Sequence, residues 1–308
     1  MRNSTSAGGL PPWGQIDEEL LEDATQYEIP EHWQGAREDY APWRAGVIAV
    51  IDQLLWPHYD PAGTRWESDR VRELNDADFI LLGRLHDQFR AAIAAAHPTT
   101  VLHADFFDEE DQDGIAFGKG YERYDPQLPR AARDRFPDIV LAALRDKASS
   151  VSTQLKAVFQ RPRAYQVALL QNRHDFGHIA ARTANTPALI SGHCFQGAIT
   201  GCNLFAELRG QMTSQSQVLL QQFTVDIGDR RVFAGVHYPS DNLSSWFTAL
   251  ELVPRVFPSQ AAGDVKAFLW TAISTRSTVY RAIEDHAASS GSPYEAMVKK
   301  LIEVGNRR

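Results

Sequence analysis

The sequence predicts an all-α protein, and three observations carry that prediction. Apolar residues recur at spacings of three and four along most of the chain, few stretches alternate with period two, and several periodic runs are closed by proline. At 308 residues, 44% hydrophobic and 23% charged, the chain can bury the core of one large domain. No internal repeat divides it.

Residues 1–35 are rich in Gly, Pro and acidic side chains and read as a flexible N-terminal arm, with one helical domain expected over 36–308. The segments "EDYAPWRAGVIAVIDQLLWPHYD" and "SDRVRELNDADFILLGRLHDQFRAAIAAAHP" each read as an amphipathic helix ended by Pro. After them "HADFFDEEDQDGIAFGKGYERYDPQLP", dense in Asp, Gly and Pro, reads as a long loop. Its "DEEDQDG" looks superficially like a calcium loop. With Gly114 at position six, however, position one is Glu109 and position twelve is Gly120, where a bidentate acid is required, so a solvated acidic loop is expected.

From Arg133 the residues Phe136, Val140, Leu144, Val151, Leu155 and Val158 form one stripe, which predicts a long helix that Pro162 ends or kinks. The same periodicity predicts helices in "HCFQGAITGCNLFAELRG", "TSQSQVLLQQFTVDIG", "SDNLSSWFTALELVPRVF", "AGDVKAFLWTAISTRSTVYRAIEDHAAS" and "SPYEAMVKKLIEV".

Composition narrows the function classes. A formal charge of −8 argues against general nucleic-acid or anionic-membrane binding, which calls for a basic excess. The N-terminus lacks the apolar core of a signal peptide, and the longest apolar run, "AGVIAVIDQLLW", is too short to span a bilayer. A soluble, cytoplasmic protein is therefore expected. The two cysteines, Cys194 and Cys202, lie eight apart on one expected helix, too far for a disulfide and too few for a thiolate metal cluster.

Three short segments offer chemistry. In "KAVFQRPRA", Lys156 and Arg163 are two helical turns apart, so both cations can project toward one point; a solvated basic helix end fits as well. In "LISGHCF", Ser191 is a good N-cap, Gly192 permits close backbone approach, and the free amides of the helix start form an anion cradle with His193 at its rim. A capped helix with a packed histidine is the alternative. In "DRRVFAGVHYPSDNLSSW", Asp241 lies four residues after His237, with Pro239 suited to the first helical turn, so the carboxylate can reach one ring nitrogen and leave the other free to attack. Arg231 adds a planar fork suited to phosphate-like oxygens, although an aspartate-capped structural histidine would look the same.

Together, Lys-x6-Arg, Ser-Gly-His and Arg-x5-His-x3-Asp resemble the signature of the PAP2 superfamily, whose soluble branch is the class A bacterial acid phosphatases and whose distant branch is the vanadium-dependent haloperoxidases. The resemblance spans about residues 130–260. Three positions depart from the pattern: Ala164 stands for the proline after the motif arginine, with an Arg161-Pro162 pair just upstream, Ile190 for the proline before Ser-Gly-His, and Arg230 for the serine before Arg231.

This resemblance implies a helical bundle of that type and a metal-independent phosphatase or phosphotransferase acting on a small soluble phosphoester, with no cofactor. Lys156, Arg163 and Arg231 would hold phosphate oxygens, Ser191 and Gly192 would add hydrogen bonds, His237 would attack phosphorus, Asp241 would orient it, and His193 would serve as acid and then base. The alternative it implies is a vanadium-dependent haloperoxidase with vanadate held by the same residues and ligated by His237. A catalytically silent phosphate-binding protein is the third reading. Helical relatives often dimerise, which makes a homo-oligomer an expectation by analogy. Outside the motifs, "HDFGH" places His174 and His178 four apart, where a third ligand would make a metal site and where a packed or solvated helix turn is the simpler reading.

Overall fold

The computed structural model describes residues 29–57, 69–94, 116–173, 184 and 186–307. Among them there are helices and no strands, so the all-α prediction holds. The expected arm over 1–35 falls outside the described residues as far as residue 28, as do the "DEEDQDG" segment and the His174/His178 pair. From Ile29 the chain already packs on the core. Trp33 meets Tyr40 and Trp43 with ring centroids 5.4 Å apart in both pairs, and His32 N–H donates to the Asp146 carbonyl at 3.1 Å.

The helices are α1 (Tyr40–Leu54), α2 (Asp69–Ala94), α3 (Ala116–Tyr124), α4 (Arg130–Arg133), α5 (Phe136–Ala142), α6 (Val151–Phe159), α7 (Ala164–Leu170), α8 (Gly192–Leu208), α9 (Ser214–Phe233), α10 (Pro239–Val256), α11 (Ser259–Arg276), α12 (Thr278–Ala287) and α13 (Glu295–Asn306). The helix α8 is the hub. It packs against α9, α10, α11 and α5, and most of its residues from Cys194 to Leu208 are buried.

Small residues set the closeness of that packing. A Cβ at Gly197 of α8 would sit 2.9 Å from Ile227 of α9, and one at Gly228 of α9 would sit 2.6 Å from Cys194 Sγ. Both distances are well inside van der Waals contact, so α8 and α9 approach as near as they do because these positions carry no side chain. Phe205 of α8 stacks on Phe268 of α11 at 4.4 Å.

Three expectations are corrected. The stretch predicted as one long helix from Arg133 is broken: α5 runs into a π-helical turn (Ala143–Ala148), Ser149 takes φ 41°, and α6 starts at Val151. Ser149 Oγ donates back to the Arg145 carbonyl at 2.7 Å, the local competition by which serine interrupts a helix. Inside the predicted long loop lies α3, because Tyr121 and Tyr124 bury against Phe223 at 5.5 and 5.4 Å and outweigh two glycines. Finally the "AGDVKAFLW…" run divides at Ser277, which caps α12 by accepting from Tyr280 N–H at 2.9 Å.

Candidate anion site

The site is assembled at helix ends. Pro239 takes the first position of α10, as its fixed φ and missing N–H allow, and places Asp241 at the third position with His237 just outside. Asp241 Oδ2 accepts from His237 Nδ1 at 3.0 Å and from the Tyr238 amide at 3.0 Å. His237 Nε2 faces Arg163 Nη1 at 2.7 Å. An arginine can only donate, so Nε2 must be the acceptor and the ring proton must lie on Nδ1, toward Asp241. The lone pair of Nε2 thus points at Arg163, one of the cations near the ring.

Those cations come from three elements. Lys156 sits in the last turn of α6, buried, its Nζ donating to the Pro187 carbonyl and, at 3.4 Å, to that of Ala188. Arg163 lies beyond the end of that helix: Gln160 adopts a left-handed cap with φ 51°, and the chain has no regular secondary structure through Arg163. Lys156 and Arg163 therefore do not converge by sharing a helix face, as their spacing suggested, but because the capped turn folds Arg163 back. Its Nε donates to the Thr186 carbonyl at 2.7 Å, Nη2 to Thr186 Oγ1 at 3.1 Å and Nη1 to the Val236 carbonyl at 3.0 Å. Arg231, buried in the last turn of α9, accepts at its carbonyl from the amides of Val236 and His237, both at 3.2 Å, and so ties that helix end to the histidine.

The start of α8 completes the cradle. Ser191 is its N-cap, with Oγ accepting from Cys194 N–H at 3.4 Å and its carbonyl accepting from Ser245 Oγ at 3.0 Å. A Cβ on Gly192 would lie 3.7 Å from Lys156 Cε, so the first amides of α8 adjoin the lysine. His193 follows at the second helical position, half-buried, between the interior and solvent.

Electrostatics follow from this crowding. Burial holds the His237 imidazolium form well below its ordinary range, and the charges of Arg163, Lys156, Arg231 and Arg161 act in the same direction. Burial also drives Lys156 well below the usual lysine range, helped by Arg163 and opposed by Asp241. A neutral histidine thus stands among cations whose charges crowd one another, an arrangement that a dianion would relieve.

One residue of this region had a role the sequence did not reveal. Arg161, noted only as half of an Arg-Pro pair, lies fully buried behind the dyad. Its Nη1 donates to Asp241 Oδ1 at 2.9 Å and Ser240 Oγ at 2.6 Å, and its Nη2 to Asp78 Oδ2 at 2.7 Å and Asn75 Oδ1 at 3.1 Å. Tyr238 and Trp56 flank the guanidinium, with ring centroids 3.7 and 4.4 Å from Cζ. Of the two arginines in "RPR", Arg163 faces His237 and Arg161 braces Asp241. Asp78 and Asn75 come from α2, where Asp78 stands as an acid inside the stripe Val71, Leu74, Leu81, Leu82, Leu85.

No helix among the described residues is long and apolar enough to cross a membrane. No family model, curated protein or solved structure matches the chain.

Proposed function

We propose that this protein is a phosphatase, or phosphotransferase, of the PAP2 type, which hydrolyses a small phosphoester through a phosphohistidine on His237 without a metal. The observation that carries this reading is the His237 ring: Asp241 holds Nδ1–H, so the Nε2 lone pair is directed at Arg163 among buried cations. A structural histidine capped by an aspartate would not require Lys156, Arg163 and Arg231 buried around its other face.

The chemistry follows from the geometry. A phosphate dianion entering the cradle takes over the Arg163 donor and bonds to Lys156, Arg231 and the first amides of α8, which frees Nε2. Nε2 then attacks phosphorus and the P–O bond to the leaving group breaks. The imidazolium that forms is stabilised by Asp241, and His193 delivers a proton to the departing oxygen. In the second step His193 takes a proton from water, the hydroxide oxygen bonds to phosphorus, and the P–N bond breaks to return the electron pair to Nε2. Three fixed cations and a helix N-terminus supply the charge stabilisation that phosphoryl transfer needs.

The same cradle fits vanadate, which Lys156, Arg163 and Arg231 would hold with His237 as ligand and which would supply peroxide activation in a haloperoxidase. Orthovanadate tests the choice. It should inhibit aryl phosphate hydrolysis by the protein and leave bromide unoxidised in the presence of peroxide. Bromide oxidation that appears on adding vanadate would overturn the phosphatase reading for the haloperoxidase, and neither effect would mean a non-catalytic phosphate binder.

A further inference from the structure

We propose that Asp78, from a helix remote in sequence, is a positioning residue for the His237–Asp241 pair, an inference that rests on the reading of His237 as the attacking group. Asp78 is fully buried, and both of its oxygens are saturated from three directions. Oδ1 accepts from the Ser240 amide at 3.0 Å and the Tyr294 hydroxyl at 2.7 Å; Oδ2 accepts from Ser240 Oγ at 2.5 Å and Arg161 Nη2 at 2.7 Å. Ser240 lies in the first turn of α10, one residue before Asp241 and three after His237. The carboxylate therefore caps the helix end that carries the dyad and grips the arginine that braces it.

Packing alone would not call for an acid there. The neighbouring stripe positions Leu74, Leu81 and Leu82 are apolar and buried, and a buried carboxylate carries a desolvation cost that a leucine would not. What the acid supplies is a second anionic partner for Arg161. The guanidinium is a planar fork: Nη1 reaches Asp241 Oδ1 while Nη2 reaches Asp78. With Asp78 in place, the arginine is held from behind and Asp241 Oδ2 stays on His237 Nδ1. Without it, the whole positive charge falls on Asp241, draws the carboxylate toward Arg161 and loosens its hold on the imidazole.

Asp78 acts through Arg161 and Ser240 and touches neither phosphate nor His237, so its loss should reach kcat and spare substrate binding. Asp78→Asn is expected to lower kcat for an aryl phosphate by about thirtyfold with KM within about twofold. Imidazole ¹⁵N shifts of His237 in the free protein should move from the Nδ1–H pattern toward a mixture of tautomers. A folded Asp78→Asn protein with unchanged kcat and unchanged His237 shifts would overturn the proposal and leave Asp78 a stability residue.

If Asp78→Asn does not fold, Tyr294→Phe removes a single bond to Oδ1 and keeps both charges. It should lower kcat about threefold and displace the same ¹⁵N shifts, and wild-type values of both would be equally fatal. Should the wild-type protein turn over no phosphoester, the functional reading fails by itself. The ¹⁵N shifts then decide the proposal alone: a moved tautomer balance in the variant upholds the positioning role, and an unmoved one refutes it.

Discussion

Asp241→Asn isolates the orienting carboxylate, and the structure fixes what an amide must do in its place. Oδ2 receives two N–H donors, from His237 and Tyr238, and Oδ1 receives a third from Arg161. Asparagine has one acceptor oxygen. If its NH₂ faces Arg161, donor meets donor and a buried ion pair is broken, which costs about 3–5 kcal/mol of stability. If its NH₂ faces His237, it opposes the Tyr238 amide and forces the ring proton onto Nε2, where it meets Arg163.

The first orientation keeps the tautomer but leaves the imidazolium formed on attack without its anion; the second removes the arrangement that exposes the Nε2 lone pair. A histidine held in the wrong tautomer loses about 10³–10⁴ in rate, which is about 4–5.5 kcal/mol of transition-state stabilisation. The assay is kcat for an aryl phosphate, with helical content followed by circular dichroism. A folded Asp241→Asn protein within tenfold of wild type would rule out an orienting role for Asp241.

Two further predictions concern pH. In the proposed mechanism His237 must be neutral to attack, and burial together with Arg163, Lys156 and Arg231 keeps it so well below its ordinary pKa; the acid limb of kcat/KM should therefore lie well under pH 6.5, and half-maximal activity near that pH would contradict this. Asp229, buried beside Asp226, has its pKa pushed up to about 7, so the folded state binds the proton that the unfolded chain releases near pH 4. Its contribution to stability should thus fall as pH rises from about 4 to about 7, by as much as about 4 kcal/mol, and stay low above that. Asp229→Asn, which cannot titrate, should close the gap: chemical denaturation of both proteins at pH 5 and pH 8 should show the variant gaining on wild type at the higher pH, and a constant difference would refute the assignment.

Much of the site was legible because its residues are close in sequence. His237, Pro239 and Asp241 occupy one helix start, and Ser191 with Gly192 another, so local capping rules place them. The spacing of Lys156 and Arg163 implies two turns of one helix, yet a left-handed Gln160 ends that helix; Pro162 announces the end, but no residue type in "FQRPR" announces the turn as glycine would have. Arg161 and Asp78 were missed because their meaning is tertiary: they are 83 residues apart and meet only when α2 lies against α10. Asp78 did leave a trace, an acid at a position where helical periodicity demands an apolar side chain. Helix existence was similarly readable and helix division was not, since Ser149 and Ser277 interrupt apolar stripes that continue on either side of them.

In the proposed mechanism Nε2 of His237 forms a bond to phosphorus. A rapid acid-free quench of the protein with an activated aryl phosphate, followed by peptide mass spectrometry, measures it directly. A phosphoryl group is expected on the peptide containing His237, stable in base, lost in acid, and absent from His237→Ala. Turnover of the ester with no label on that peptide, or undiminished turnover by His237→Ala, would contradict it.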